Sequence, residues 1–125
     1  MKKTISTDKA PGAIGPYSQA VVAGGFIYVS GQLPLDPATG AFAGDDISSQ
    51  TRQSLSNVKA ILEEAGYAMD DVVKATIYLD SIDDFAAMNE VYGSFFNAPF
   101  PARAAFAVET LPKNALVEIE VVAHK

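Results

Sequence analysis

Cysteine is absent from the 125-residue chain, which removes disulfides, thiol nucleophiles and thiolate metal sites together and suits a reducing compartment. Histidine occurs once, as His124 next to the C-terminus. Zinc sites built on imidazole and Ser-His-acid triads therefore fail for want of parts. Basic residues are few: nine Lys and Arg against fifteen Asp and Glu give a formal net charge of -6. A binder of phosphate backbones needs a basic surface, and the longest hint of one is "MKK", so nucleic acid is disfavoured as a partner. No apolar run approaches the roughly 18 residues of a membrane-spanning helix. The opening "MKKTISTDKAPG" has no apolar segment behind its lysines, so neither a signal nor a transit peptide is read there and a cytoplasmic location is expected. The acids are scattered, with no calcium-loop, phosphate-loop or dinucleotide pattern, and neither a metal nor a cofactor is implied.

What remains is a globular composition, 49% apolar and 19% charged, of a length that suits one domain over residues 1–125 with a single core. "YSQAVVAGGFIYVSGQLPLD" reads as two strands joined at Ala23-Gly24-Gly25, the glycines supplying the positive backbone angles of a tight hairpin. In "FIYVSGQ", alternation puts Phe26, Tyr28 and Ser30 on one face and Ile27, Val29 and Gly31 on the other. Pro34, Pro37 and Gly40 mark a surface loop. From Asp46 to Ala65, Ile47, Leu55, Val58, Ile61, Leu62 and Ala65 recur at mostly helical steps. This predicts an amphipathic helix capped by Asp45 or Asp46 and closed by Gly66.

"DVVKATIYL" alternates as a strand, with Val73, Ala75, Ile77 and Leu79 on one face and Val72, Lys74, Thr76 and Tyr78 on the other. Ser81 to Asp84 resembles a capping box, and Phe85, Met88, Val91, Tyr92 and Phe95 mark the buried side of a second helix ended by Pro99 and Pro101. Strands are predicted at Ala102 to Val108 and Leu116 to Ala123. The order β-β-α-β-α-β-β implies an α+β fold: one mixed sheet with both helices on one face. Whether Glu118 and Glu120 share the helix-covered face or the opposite one is left open by the alternation. Two glutamates beside Leu116 and Val122 are poorly suited to deep burial in a monomer. They point to solvent or to a cleft at a subunit boundary, and a sheet apolar on both faces favours an oligomer.

Arg103 stands alone at the start of the apolar run "PARAAFAV". Small neighbours leave space beside its guanidinium, and Pro99 and Pro101 restrict the backbone that presents it. It reads either as a snorkelling or salt-bridged surface arginine or as an anion site, whose planar fork matches a carboxylate bidentately.

The segments "GPYSQA", "VSGQLPLD", "TRQSLSNVKAILEEAG", "VVKATIYL", "FAAMNEVYGSFF", "PARAAFAV" and "LPKNALVEIEVVA", in this order over nearly the whole chain, closely resemble the Rid (YjgF-type) family of reactive intermediate deaminases, and within it the RidA subfamily. The resemblance implies a chorismate-mutase-like homotrimer whose sheets form a central barrel, with helices outside and active sites in the clefts between subunits. It implies hydrolysis of 2-iminoacids such as 2-iminobutanoate and 2-iminopropanoate to 2-ketoacids and ammonia, clearing intermediates of pyridoxal-phosphate enzymes without a cofactor of its own. By the same resemblance Arg103 grips the substrate carboxylate and Glu118 is the acid associated with the attacking water. Tyr17, Ser30, Gly31 and Asn89 correspond to substrate-binding positions. Periodicity alone does not separate Glu118 from Glu120. Bland roles stand beside these: a core or interface tyrosine at Tyr17, a cap or backbone bridge at Asn89, a bulge or close strand approach at Gly31. The chain departs from many relatives at Ala105, where they have cysteine. The competing readings are a non-enzymatic small-carboxylate-binding or chaperone-like protein of the same fold and, against the acidity of the chain, a ribonuclease.

Overall fold

A computed structural model describes residues 1–125. Six strands form one sheet in the order β1-β2-β3-β6-β4-β5: β1 is Lys3–Ile5, β2 Ala20–Ala23, β3 Phe26–Gln32, β4 Val72–Leu79, β5 Ala102–Ala107 and β6 Val117–His124. β4 and β5 pair in parallel and the other neighbours antiparallel, so the sheet is mixed. Helix α1, Ile47–Glu64, connects β3 to β4, and α2, Phe85–Phe95, makes the crossover between the parallel pair.

Local sequence accounts for these elements. Gly24 and Gly25 have φ of 59° and 82°, the left-handed values that the β2–β3 turn demands. Asp46 is the cap of α1, accepting from the Ser49 backbone N–H at 3.0 Å and from its hydroxyl at 2.7 Å. These bonds, the hydroxyl first, hold the exposed Asp46 carboxyl below its ordinary range. Gly66, at φ 83°, ends the helical segment as expected.

The core lies on one face of the sheet. Ile27 and Val29 of β3, Ala75, Ile77 and Leu79 of β4, and Val117, Ile119 and Val121 of β6 are buried with Leu55, Val58, Ile61 and Leu62 of α1 and Met88 of α2. Both helices therefore cover that face, and Glu118, Glu120 and Val122 alternate onto the open one. Burial of an aliphatic side chain contributes about 1.5–3 kcal/mol, which decides the β6 register against any slip by one residue.

Three details differ from the expected pattern. The polar lead contains a strand, β1, whose three residues pair Lys3 with Val22 and Ile5 with Ala20; "KTI" is too short for alternation to announce it. The β4–β6 register shifts between Val72 and Lys74, so Val72 is buried and Val73 is 44% exposed, the reverse of the predicted faces. A second shift, in β3 between Val29 and Gln32, buries Gln32 and turns Gly31 toward Glu118, away from the predicted company of Ile27 and Val29. An extra residue in one strand inverts alternation beyond it, which periodicity cannot foresee.

Candidate active site in two halves

The cationic half is built on α2 and the edge strand β5. The register places Arg103 beside Ala75 and, one strand further, Val121, both on the helix-covered face, so Arg103 points toward α2. There Nη1 donates to Asn89 Oδ1 at 2.6 Å. The guanidinium carbon lies 4.8 Å from the Tyr92 ring centroid and 5.5 Å from that of Phe85. Phe85, Asn89 and Tyr92 are spaced four and three residues apart on one helical face, so α2 offers an aromatic floor and an amide stop to one arginine. Burial pushes the Tyr92 phenol up, while the Arg103 cation pulls it down. Phe100, Pro101 and Gly93 complete a cavity of ≈ 360 Å³ around the exposed Arg103. Asn89 engages one of five guanidinium donors, so the fork keeps donors for a carboxylate.

The acidic half lies on the other face. Tyr17, Ser30, Gly31 and Glu118 line one cleft of ≈ 790 Å³, together with Leu33 and Lys113. Gly31 makes room for the acid: a Cβ there would stand 2.5 Å from Glu118 Oε2 and 3.0 Å from Cδ. Ser30 is tied to the preceding segment, its hydroxyl donating to Ser18 O at 2.6 Å and its N–H to Gln19 O at 2.9 Å. Tyr17 is 52% exposed, and its Oη accepts from Ile14 N–H at 3.4 Å. Glu118 is half-buried, and its carboxyl is pushed above its ordinary range, by burial first and then by the negative charge of Glu120.

The named residues thus form two groups, Arg103 with Asn89 and Glu118 with Tyr17, Ser30 and Gly31, and a single chain does not bring the groups together. Residues that matter to this geometry went unremarked in the sequence. Gln19, buried, ties the first loop to β2 by accepting from Thr7 N–H at 2.7 Å and donating to Pro11 O at 2.8 Å. Asn57, on the buried face of α1, donates to Leu33 O and Leu35 O at 3.1 and 2.9 Å and fixes the loop that walls the acidic cleft. Gln50 accepts from Leu116 N–H at 2.8 Å at the entry to β6. Polar residues on the inward stripe of an amphipathic helix were the available signal for Asn57 and Gln50; Gln19 had none.

This arrangement, a six-stranded mixed sheet with two helices on one face, an arginine fork on its edge and a carboxylate on its open face, defines an α+β protein of mixed-sheet architecture. A family model described as Endoribonuclease L-PSP matches residues 7–125, and the chain belongs to that family, the Rid (YjgF-type) proteins. It is 54% identical over 125 residues to a RutC family protein of Pyrococcus horikoshii, covering 100% of this chain and 99% of the other. It is 52% identical over 126 residues to the 2-iminobutanoate/2-iminopropanoate deaminase of Salmonella typhimurium, covering 98% of each. The crystal structure of Escherichia coli TdcF with bound serine superimposes with a TM-score of 0.95 at 44% identity, covering 98% of each chain.

Proposed function

We propose that this single-domain protein hydrolyses reactive 2-iminoacids, such as 2-iminobutanoate and 2-iminopropanoate, to 2-ketoacids and ammonia in clefts shared by the subunits of a cytoplasmic homotrimer. The observation that carries the reading is the pairing of a preorganised fork with a carboxylate of raised proton affinity on opposite sheet faces. A second chain laid against the open face supplies the missing half. Tyr28 and Phe106, 50% and 46% exposed, are apolar area available on that face for such a contact. The Salmonella relative's name and the serine held by TdcF, an amino acid with a carboxylate beside its nitrogen-bearing carbon, support a substrate of this class.

The chemistry follows from the two halves. Arg103 binds the carboxylate bidentately, which places the adjacent C2 in a fixed position. The protonated imine makes C2 electrophilic. The ionised Glu118 accepts a proton from water as its oxygen bonds to C2 and the C=N π electrons move to nitrogen, giving a carbinolamine. Glu118 then returns the proton to nitrogen; as the C–N bond breaks, the hydroxyl oxygen forms the carbonyl and gives its proton back to Glu118, which passes it to the departing ammonia as ammonium and is left ionised. A carboxyl raised toward neutrality suits both duties, because it releases a proton more readily than water and accepts one more readily than an ordinary carboxylate. Water is the only co-reactant.

The test couples threonine dehydratase to semicarbazide trapping of the imine, with wild type, Arg103→Ala and Glu118→Gln. Wild type lowers trapped imine; each variant, folded, loses that effect. Refolding the two inactive variants together then places both intact groups in about a quarter of the sites of randomly mixed trimers, and activity returns. A site contained in one chain regains nothing, and a wild type inert toward several small iminoacids defeats the deaminase reading and leaves the fold as a carboxylate-binding module.

A further inference from the structure

On the open face, β4 and β6 bring a second acid and a phenol next to Glu118. The register pairs Tyr78 with Glu118 and Thr76 with Glu120, so all four side chains share that face. The Tyr78 hydroxyl donates to Glu120 Oε1, and the Phe106 ring of β5 packs T-shaped with the Tyr78 ring, centroids 5.4 Å apart at 89°. The phenol is thus held from one side by an aromatic ring and aims its proton at the neighbouring carboxylate.

We propose that Tyr78 and Glu120 are a positioning pair for Glu118, the phenol pinning the Glu120 carboxylate so that Glu118 works beside a fixed negative charge. The inference rests on the deaminase reading for its consequence in turnover, but its physical content is independent of turnover. The Tyr78 phenol is pushed up to about 12, by its bond to Glu120 first, then by burial, so it remains a donor across the working range of pH. Glu120 in turn contributes to the raised carboxyl of Glu118. Other ionisable groups face this cluster. Lys74 stands one pair along β4 and Tyr28 across on β3, while Tyr17, Asp36 and Lys113 line the cleft beside Glu118. None of these donates to Glu120 within the chain as Tyr78 does.

The measurement is the titration of the Glu118 carboxyl carbon by 13C NMR, alongside the pH profile of imine hydrolysis, for wild type, Glu120→Gln, Tyr78→Phe and the double variant. Same-face neighbours on a strand are about 7 Å apart, and removing one charge at that range lowers the Glu118 midpoint, and with it the acid limb of the profile, by about half to one pH unit. Tyr78→Phe frees Glu120 and gives a smaller shift in the same direction. In the Glu120→Gln background the Tyr78 change has no further effect, because the phenol acts through the carboxylate. An unmoved midpoint in Glu120→Gln, or a Tyr78→Phe shift that persists in the double variant, overturns the proposal. Loss of wild-type turnover with the predicted NMR shifts intact removes the deaminase reading and leaves the coupling standing.

Discussion

Replacing Gly31 with alanine displaces the Glu118 carboxylate while leaving the backbone conformation in place. Gly31 lies outside the left-handed region, so its backbone accepts alanine, and the loss of glycine's unfolded-state freedom stabilises the fold by about 0.4–1 kcal/mol. The added Cβ would meet Glu118 Oε2 at 2.5 Å, and the acid must retreat to the 3.4 Å of ordinary contact, a displacement of about 0.9 Å. Misplacement of a reacting group by about 1 Å costs on the order of 100-fold in rate, about 2.7 kcal/mol in the barrier. Arg103, on the opposite face of the same chain, is untouched by the change. The expected result is therefore a kcat on 2-iminobutanoate about 100-fold lower with KM within about twofold, and a urea midpoint at or above that of wild type. A kcat within twofold of wild type refutes the claim that Gly31 sets the place of the acid. A loss carried by KM, or by a fallen urea midpoint, refutes it equally, because the effect would then lie in binding or folding.

Two further outcomes test the scaffold. Glu118→Gln should stabilise the fold while abolishing turnover. Burial and Glu120 raise the folded-state carboxyl above its unfolded value, so its contribution is favourable below the ordinary carboxylate range and is lost as pH rises through the raised value. At pH 7 the wild type carries that penalty and the glutamine does not. For a half-exposed group the gain is below about 1 kcal/mol, and it should vanish in urea melts near pH 3; an equal gain at both pH values would assign it to packing. Asn57→Leu leaves the Leu33 and Leu35 carbonyls without their donor. It should cost about 2 kcal/mol of unfolding free energy, seen as a lower urea midpoint, and lower activity through the loop, whereas a neutral change would mean those carbonyls find water.

The major elements were legible because each is announced locally: the Gly24-Gly25 turn, the aspartate before α1, the prolines after α2, and alternation in β6. For the candidate site, Arg103 stands out in its apolar run, whereas alternation leaves Glu118 and Glu120 equivalent and neither residue's place relative to the other can be read from the chain. Glu118 and Arg103 are separated by β4, and their relation depends on the registers of two strand pairs, a quantity set by core packing over the whole sheet. The bulges at Val72 and between Val29 and Gln32 each invert the faces of a few residues and leave no mark in composition. For Asn57 the inward stripe of α1 signals burial, but its role stays hidden because its partners, 24 and 22 residues away, are placed only by the path of the loop.

The register also bears on Ala105. Ala105 pairs with Ile77 on the helix-covered face, two residues along β5 from Arg103, and packs against the core. A methyl group at that point offers neither nucleophile nor redox partner, and no other residue of the chain supplies a thiol. In the proposed reaction attack on C2 comes from water, and the carboxyl with raised proton affinity available to activate it is Glu118, on the far face. On the proposed reading the divided site leads to one expectation: the fork of one subunit reaches the acid of another, and activity disappears with the assembly before the fold is lost.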